Sequence, residues 1–221
     1  MNIERNFREI FGNIDVDPYK ETALRFLPGT IKVLFIAESP PFPPPFDPIT
    51  KEYNDDWSYF YRYENHRSNF LRQKFSLAIY YRTFANPKDF LDLFCEDGYF
   101  LIDAVEYPIN KIEINKNLIK LNRKGEVDTK EREKIIHFEA ENCLNDRIEE
   151  WINKTKGTNL KDLKIIIIKV PVFDALMLTE NPFKDYYDKS IYNVLNEDPI
   201  PFPMSPFDKV FISKIRKLLS L

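Results

Sequence analysis

Two acidic side chains directly follow apolar segments of the chain, and their positions are the main chemical signal in the sequence. Glu38 comes immediately after residues 33–37, and Asp103 comes immediately after residues 99–102. Both segments are short and apolar on both faces, which is typical of buried strands in a parallel sheet. Because the carboxyl ends of such strands meet at the edge where ligands bind, we expect the two acids to lie together there. Paired carboxylates suit acid–base chemistry on a bound ligand.

A third apolar segment, residues 165–168, and the helical patterns between these segments predict the frame that positions the acids. Helical spacing of apolar residues occurs at 3–10, 19–26, 68–84, 90–94, 129–154, 173–178 and 208–219. Strands that alternate with helices predict an α/β protein, a three-layer α/β/α sandwich with a short, mostly parallel central sheet. Residues 1–221 show no internal repeat and no flexible linker, so the sequence predicts a single domain.

Aromatic residues alternate with cations in the segment that precedes and begins the third predicted helix. The aromatic residues are Trp57, Tyr59, Phe60, Tyr61 and Tyr63, and the cations are Arg62, Arg67, Arg72 and Lys74. Aromatics beside cations suit stacking on nucleobases and contact with phosphates. An aromatic core patch with solvated charges explains the same pattern, and both interpretations stay open. Lys209 belongs to a basic cluster that forms either a solvated helix face or a phosphate contact.

Prolines dominate residues 40–48, directly after the first predicted strand. Proline cannot continue the ladder of a sheet, so the strand ends there. The segment is either a stiff wall of a pocket or a polyproline ligand for an aromatic groove, because it also has PxxP spacing.

The composition excludes several classes of protein. The 5 glycines never cluster, which excludes a glycine-rich phosphate loop. A formal net charge of -3 means that any nucleic-acid surface is a local patch. Cys95 and Cys143 form no disulfide or zinc pattern, and with only 2 histidines no metal site is expected. Since no signal peptide or membrane-length apolar run is recognisable, we expect a reducing, cytoplasmic location.

Four segments resemble, in their order along the chain, motifs of the uracil-DNA glycosylases. They are VLFIAESPP (33–41), GYFLIDAVEYP (98–108), KIIIIKV (164–170) and IPFPMSPFDKVF (200–211). The chain is most similar to the iron–sulfur branch of that superfamily. The resemblance implies the α/β/α fold of these enzymes. It also implies a DNA-repair hydrolase that cleaves the N-glycosidic bond of a base flipped out of DNA.

The resemblance also implies roles for individual residues. Glu38 falls where that branch has the acidic residue that orients the attacking water. Asp103 falls where the family has the asparagine that reads the edge of the pyrimidine. Phe60 or Tyr61 falls where an aromatic ring stacks on the extruded base.

The segment with Phe202 and Ser205 falls where the family has His-Pro-Ser, whose histidine stabilises the leaving base and whose loop enters the minor groove. Phe202 replaces the histidine and cannot donate a hydrogen bond, and Asp103 replaces the asparagine. Cys143 matches one ligand of the iron–sulfur cluster, but the other cysteines are absent. No cofactor is therefore expected.

The leading hypothesis is a divergent glycosylase with Glu38 as the acid that orients water, because a carboxylate stabilises the positive charge that builds on the sugar. DNA is the expected partner, bound weakly and in a salt-dependent way through Arg62, Arg67 and Lys209. One alternative is a non-catalytic binder of nucleic acid or nucleotides with the same fold. Another is an interaction protein that presents residues 40–48. On the leading hypothesis, Glu38→Gln removes activity and leaves the melting temperature nearly unchanged.

Overall fold

A four-stranded parallel sheet lies at the centre of the protein. A computed structural model of the chain describes residues 7–11, 15–41, 46–47, 52–53, 59–63, 69–110, 118–203 and 208–221. Their strands are β1 (Val33–Ala37), β2 (Phe46–Asp47), β3 (Glu52–Tyr53), β4 (Tyr99–Asp103), β5 (Lys164–Ile167) and β6 (Asn193–Val194). The sheet has the order β4-β1-β5-β6, and its neighbours are all parallel, whereas β2 and β3 form a separate antiparallel pair. The predicted parallel pairing of the three apolar segments is therefore confirmed.

Helices cover both faces of this sheet. They are α1 (Phe7–Ile10), α2 (Asp17–Leu24), α3 (Phe70–Tyr80), α4 (Pro87–Glu96), α5 (Thr129–Asn142), α6 (Leu144–Asn153), α7 (Val170–Met177), α8 (Pro182–Asp188) and α9 (Asp208–Leu219). None of the helices in the described ranges has the length and apolar character needed to cross a membrane.

Two buried phenylalanines show how the three layers pack. Phe35 in β1 lies opposite Leu101 of β4, so it and Phe100 point to opposite faces of the sheet. On one face, the Phe35 ring centroid lies 4.6 Å from that of Phe75 in α3. On the other face, the Phe100 ring lies 5.0 Å from Trp151 in α6. The predicted α/β class is confirmed, with helices on each side of a parallel sheet.

The helix predicted over residues 129–154 is wrong in one respect, because it is two helices. The chain breaks at Cys143, whose φ of -139° lies outside the helical region. The break lets α6 turn its own apolar side, including Trp151, against the sheet. Neither glycine nor proline marks the break, so apolar periodicity runs through it unchanged. β6 was not predicted, because a strand of two residues leaves no periodic pattern.

Tyr61 closes one edge of the sheet. β4 is an edge strand, and the N–H of Leu101 donates a hydrogen bond of 2.7 Å to the Tyr61 hydroxyl. That hydroxyl in turn donates to the carbonyl oxygen of Leu101 at 3.0 Å. The Tyr61 side chain is fully buried. Its one hydroxyl therefore forms hydrogen bonds with two backbone groups that have no neighbouring strand to pair with and no contact with water.

We expect Tyr61→Phe to lower the free energy of unfolding by about 1–3 kcal/mol, because both backbone groups of Leu101 are then buried without a partner. Urea denaturation measures the change. Tyr81→Phe is the matched control, since Tyr81 is 60% exposed and its change is expected to stay within about 0.5 kcal/mol. Equal effects of the two substitutions would contradict the role of the Tyr61 hydroxyl.

Candidate functional site

Three charged side chains meet at the carboxyl edge of the sheet. Asp103 ends β4, and it lies opposite Ala37 of β1, the residue that precedes Glu38. The prediction that these acids share one edge is therefore confirmed. Lys169 joins them from the next strand, because it follows the end of β5 by two residues.

Glu38 is buried between two cations. Its side chain is 4% exposed, and the Nζ of Lys169 donates to its Oε2. Nη1 of Arg132, from the first turn of α5, lies 3.3 Å from each of its carboxylate oxygens. The same nitrogen donates to Oδ1 of Asn110 at 3.2 Å. Burial of a lone carboxylate is costly, and the paired cations offset that cost.

Lys169 has an unusual backbone conformation. Its φ of 82° and ψ of 132° lie in a region that side chains other than glycine rarely adopt, at a cost of about 1–3 kcal/mol. Its backbone N–H donates to the carbonyl oxygen of Ile200 at 2.7 Å, next to a parallel bridge between Ile168 and Ile200. These contacts direct the chain over the end of β5, where the Lys169 ammonium lies 5.6 Å from the ring centroid of Phe202.

The side-chain amide of Asn196 also fixes the end of β5. The side-chain oxygen of Asn196 accepts a hydrogen bond of 2.9 Å from the N–H of Ile167, and its Nδ2 donates 3.1 Å to the carbonyl oxygen of Ile167. Asn196 is 4% exposed, so its amide replaces a neighbouring strand at this point. The backbone that carries Lys169 is therefore fixed on two sides.

Asp103 has a different environment from Glu38. Its carboxyl group is partly buried, and no described residue donates a hydrogen bond to it. Burial raises the pKa of Asp103 to about 7. The positive charges of Arg147 and Lys169 oppose this rise, and the negative charge of Glu38 adds to it. A carboxyl group with this pKa changes its charge near neutral pH and can both accept and donate a proton there.

Arg147 of α6 holds the chain that follows β4. Its guanidinium donates to the carbonyl oxygen of Ala104, and it lies 3.4 Å from that of Asp103. Its Nη2 also pairs with the buried carboxylate of Glu139 at 3.1 Å. The backbone that carries the Asp103 carboxyl is thus tied to two helices.

The three charged residues line a cavity of about 330 Å³. This volume is within the range of small-molecule sites. Its walls also include aromatic rings, namely Tyr59, Phe60, Phe70 and Phe202. Phe70, at the start of α3, is 46% exposed. The cavity therefore combines flat apolar surfaces with one cation and two acids, which suits a planar, polar ligand.

No protein-family model, curated protein or solved structure matches this chain.

The aromatic residues predicted to bind the base do not all line the cavity. Phe60 lines the cavity, although it is 4% exposed. Tyr61 does not line it, because its ring packs in the core and its hydroxyl serves the edge of β4. Its neighbour Tyr59 lines the cavity instead. Phe202 contributes to the wall beside Lys169.

Of the predicted contacts to the nucleic-acid backbone, Arg62 and Lys209 are described by the structure, and neither lines the cavity. Arg62 is partly buried, and its carbonyl oxygen accepts from Nη1 of Arg72 at 2.7 Å. Lys209 is exposed at the second position of α9. Arg67 and Ser205 lie outside the described residues.

Pro40 and Pro41 line the cavity, as the interpretation of the proline-rich segment as a pocket wall expects. The hydroxyl of Tyr19 donates to the carbonyl oxygen of Pro41 at 2.7 Å and fixes this part of the wall. Residues 42–45 and 48 of the same segment lie outside the described ranges. Among the described residues, no group of three or more His, Cys, Asp and Glu side chains is placed to hold a metal ion.

Sequence reasoning missed Lys169 and Arg132. Lys169 directly follows the apolar segment 165–168, so the rule that selected Glu38 and Asp103 would also have selected it. Arg132 leaves no such signal. It lies on α5, a polar helix that begins at Thr129, 91 positions after Glu38 in the sequence. Only the packing of α5 brings it to the site.

Proposed function

We propose that this chain hydrolyses the N-glycosidic bond of a nucleobase held in the cavity at the carboxyl edge of the sheet. The carboxyl of Asp103 carries the proposal. It faces a cavity with aromatic walls, receives no hydrogen bond from the described residues, and has a pKa raised to about 7. Next to it lies the ammonium of Lys169, so an acid–base group and a cation face the same space.

Cleavage of the bond needs stabilisation of the departing base. The electron pair of the bond leaves with the base, which gains negative charge, while positive charge builds on the sugar. The Lys169 ammonium donates a hydrogen bond and then a proton to the base. The sequence resemblance puts a histidine at the position of Phe202, and Lys169 supplies a donor 5.6 Å from the centre of that ring.

The second half of the reaction needs a carboxylate that is not neutralised by cations. The oxygens of Glu38 already accept hydrogen bonds from both Lys169 and Arg132, so they are occupied by two cations. Ionised Asp103 stabilises the cationic sugar and takes a proton from the water that attacks it. The proposal therefore exchanges two roles implied by the resemblance: Asp103 activates water, and Glu38 positions Lys169.

The resemblance to uracil-DNA glycosylases supports DNA as the source of the base, since a base must leave the stack to enter such a cavity. The exposed ring of Phe70 offers a surface on which the base stacks. We also propose a reducing, cytoplasmic location, which the unpaired thiols of Cys95 and Cys143 support.

The decisive experiment measures base release. The protein is incubated with single- and double-stranded oligonucleotides that each carry one deaminated or damaged base, and mass spectrometry detects the free base. Asp103→Asn serves as the inactive control. Binding of these oligonucleotides without any base release would contradict hydrolysis and favour the non-catalytic nucleotide-binding alternative.

We expect DNA binding to be weak and strongly dependent on salt. The net charge is -3, and the cations nearest the bound base are already paired with Glu38, so only a few surface cations meet phosphates. With two or three such contacts, affinity falls about ten- to forty-fold between ~50 and ~200 mM salt. Fluorescence anisotropy with a labelled oligonucleotide measures the fall.

Lys209→Ala is expected to reduce the slope of log affinity against log salt by about 1. Lys189→Ala, which removes another exposed lysine, is the matched control and leaves the slope unchanged. Tight binding that does not respond to salt would contradict this mode of binding.

A further inference from the structure

Among the described residues, Glu38 has two cationic partners, one more than a simple ion pair with Lys169 requires. Buried Glu38 has a second partner, because Arg132 lies 3.3 Å from both of its oxygens. The carboxylate therefore keeps a counter-charge when Lys169 loses its proton. If Lys169 were the only cation beside Glu38, loss of its charge would leave a buried carboxylate without a partner.

The backbone of Lys169 points to the same conclusion. A long side chain stands at a φ of 82°, where glycine is the residue that fits without strain. The side chain is 24% exposed, and it lines the cavity rather than a closed interior. Strain at a cavity wall indicates that the amine itself is needed there.

We propose that Lys169 forms an imine with the C1′ aldehyde of a base-free deoxyribose held in the same cavity. This inference rests on the proposed function, because hydrolysis of the N-glycosidic bond leaves a sugar whose ring opens to that aldehyde. The substrate of the second step is thus an abasic site in DNA. The chemical class of ligand is an aldehyde on a sugar phosphate.

The proton transfers of the two steps are compatible. Lys169 gives a proton to the departing base and becomes a neutral amine, which is the nucleophilic form. Its nitrogen lone pair attacks C1′ and breaks the C=O π bond, and the nitrogen then passes one of its protons to the oxygen to give a neutral carbinolamine. The proton that Asp103 took from water is then donated to the carbinolamine hydroxyl, which leaves as water. The C=N bond forms, and the iminium nitrogen carries the positive charge beside Glu38.

The test uses a preformed abasic oligonucleotide, so it does not depend on base release. With this substrate, ionised Asp103 takes the proton of Lys169 and later returns it to the carbinolamine hydroxyl. The full chain is incubated with this oligonucleotide and sodium cyanoborohydride, which reduces an imine to a stable secondary amine. We expect a covalent complex on a denaturing gel. Trypsin cannot cleave after a modified Lys169, so the adduct is expected on a peptide of residues 165–184 instead of the separate peptides 165–169 and 170–184.

Two variants complete the test. Lys169→Arg keeps the positive charge and cannot form the imine, so the yield of adduct is expected to fall at least about ten-fold. Lys214→Arg changes a lysine outside this cavity, whose Nζ donates to the carbonyl oxygen of Pro199, and it leaves the yield unchanged. Thermal melting checks that both variants fold, and the peptide map of the wild-type chain gives an answer even if one does not.

The outcomes separate this inference from the proposed function. Base release without an adduct on Lys169 would overturn the imine and leave the hydrolase standing. An adduct on Lys169 without base release would support the imine and contradict hydrolysis. Adducts spread over several surface lysines, with the same yield in Lys169→Arg, would also overturn the imine.

Discussion

Asp103→Asn is expected to remove base release and to make the folded protein more stable at neutral pH. The pKa of Asp103 is raised from 3.8 to about 7, mainly because burial disfavours its charged form. Between these values the folded chain holds a proton that the unfolded chain has lost, so wild-type stability falls as the pH rises from about 4 to about 7. Asparagine carries no charge and escapes this penalty.

The gain in stability is expected to be about 1–3 kcal/mol at pH 7, since a shift of this size corresponds to at most about 4 kcal/mol and partial exposure reduces it. Below a pH of about 4 the variant and the wild type are expected to converge. Urea denaturation at several pH values measures the difference. Asp162→Asn, an exposed aspartate away from the site, is the control and is expected to show no such pH dependence.

The activity of the wild type is expected to rise as the pH rises through about 7, because the ionised form of Asp103 accepts the proton of water. Asp103→Asn is expected to lower the rate by about 100-fold or more. The opposite result would restore the role that the resemblance implies. If activity on uracil falls with rising pH and Asp103→Asn improves it at neutral pH, protonated Asp103 reads the base as an asparagine does.

The second large effect is expected from Glu38→Gln. The substitution leaves Lys169 and Arg132 facing a neutral amide in a site where Glu38 is only 4% exposed. Removal of one partner of a buried ion pair costs about 3–5 kcal/mol. Since the two cations are 24% and 20% exposed, water partly solvates them, and we expect a loss below that range, about 2–3 kcal/mol.

A double variant tests the cause of this loss. Glu38→Gln combined with Lys169→Met removes one of the two unpaired cations, so it is expected to be less destabilised than the sum of its single changes. Glu150→Gln is the matched control, because Glu150 pairs with Lys154 on the exposed side of α6 and contributes at most about 0.5 kcal/mol. Glu38→Gln with wild-type stability would show that the carboxylate is not held by its two cations.

Local patterns in the sequence were sufficient for three of the four strands of the sheet and for two of the three charged residues at its carboxyl edge. A strand buried on both faces is apolar at every position, so residues 33–37, 99–102 and 165–168 are visible without any tertiary information. Parallel strands also end at a common edge, which is why Glu38 and Asp103 were correctly expected together.

The partners of these acids depended on the tertiary structure, because they come from distant parts of the chain. Glu38 binds Arg132 across 94 positions and Lys169 across 131 positions, and no periodic pattern connects such residues. The same reason explains why the sequence alone predicts no loss of stability for Glu38→Gln. An acid after a strand is compatible with an exposed loop, and only the packing of α5 and β5 makes it a buried ion pair.

The roles of neighbouring aromatic residues were decided in the same way. Tyr59 and Tyr61 have the same side chain and lie two positions apart, so the sequence cannot distinguish them. Their surroundings do: Tyr59 lines the cavity, and Tyr61 satisfies Leu101 at the edge of β4. Side-chain chemistry is local, but which atoms a hydroxyl meets depends on how the aromatic segment packs against a strand 40 positions away.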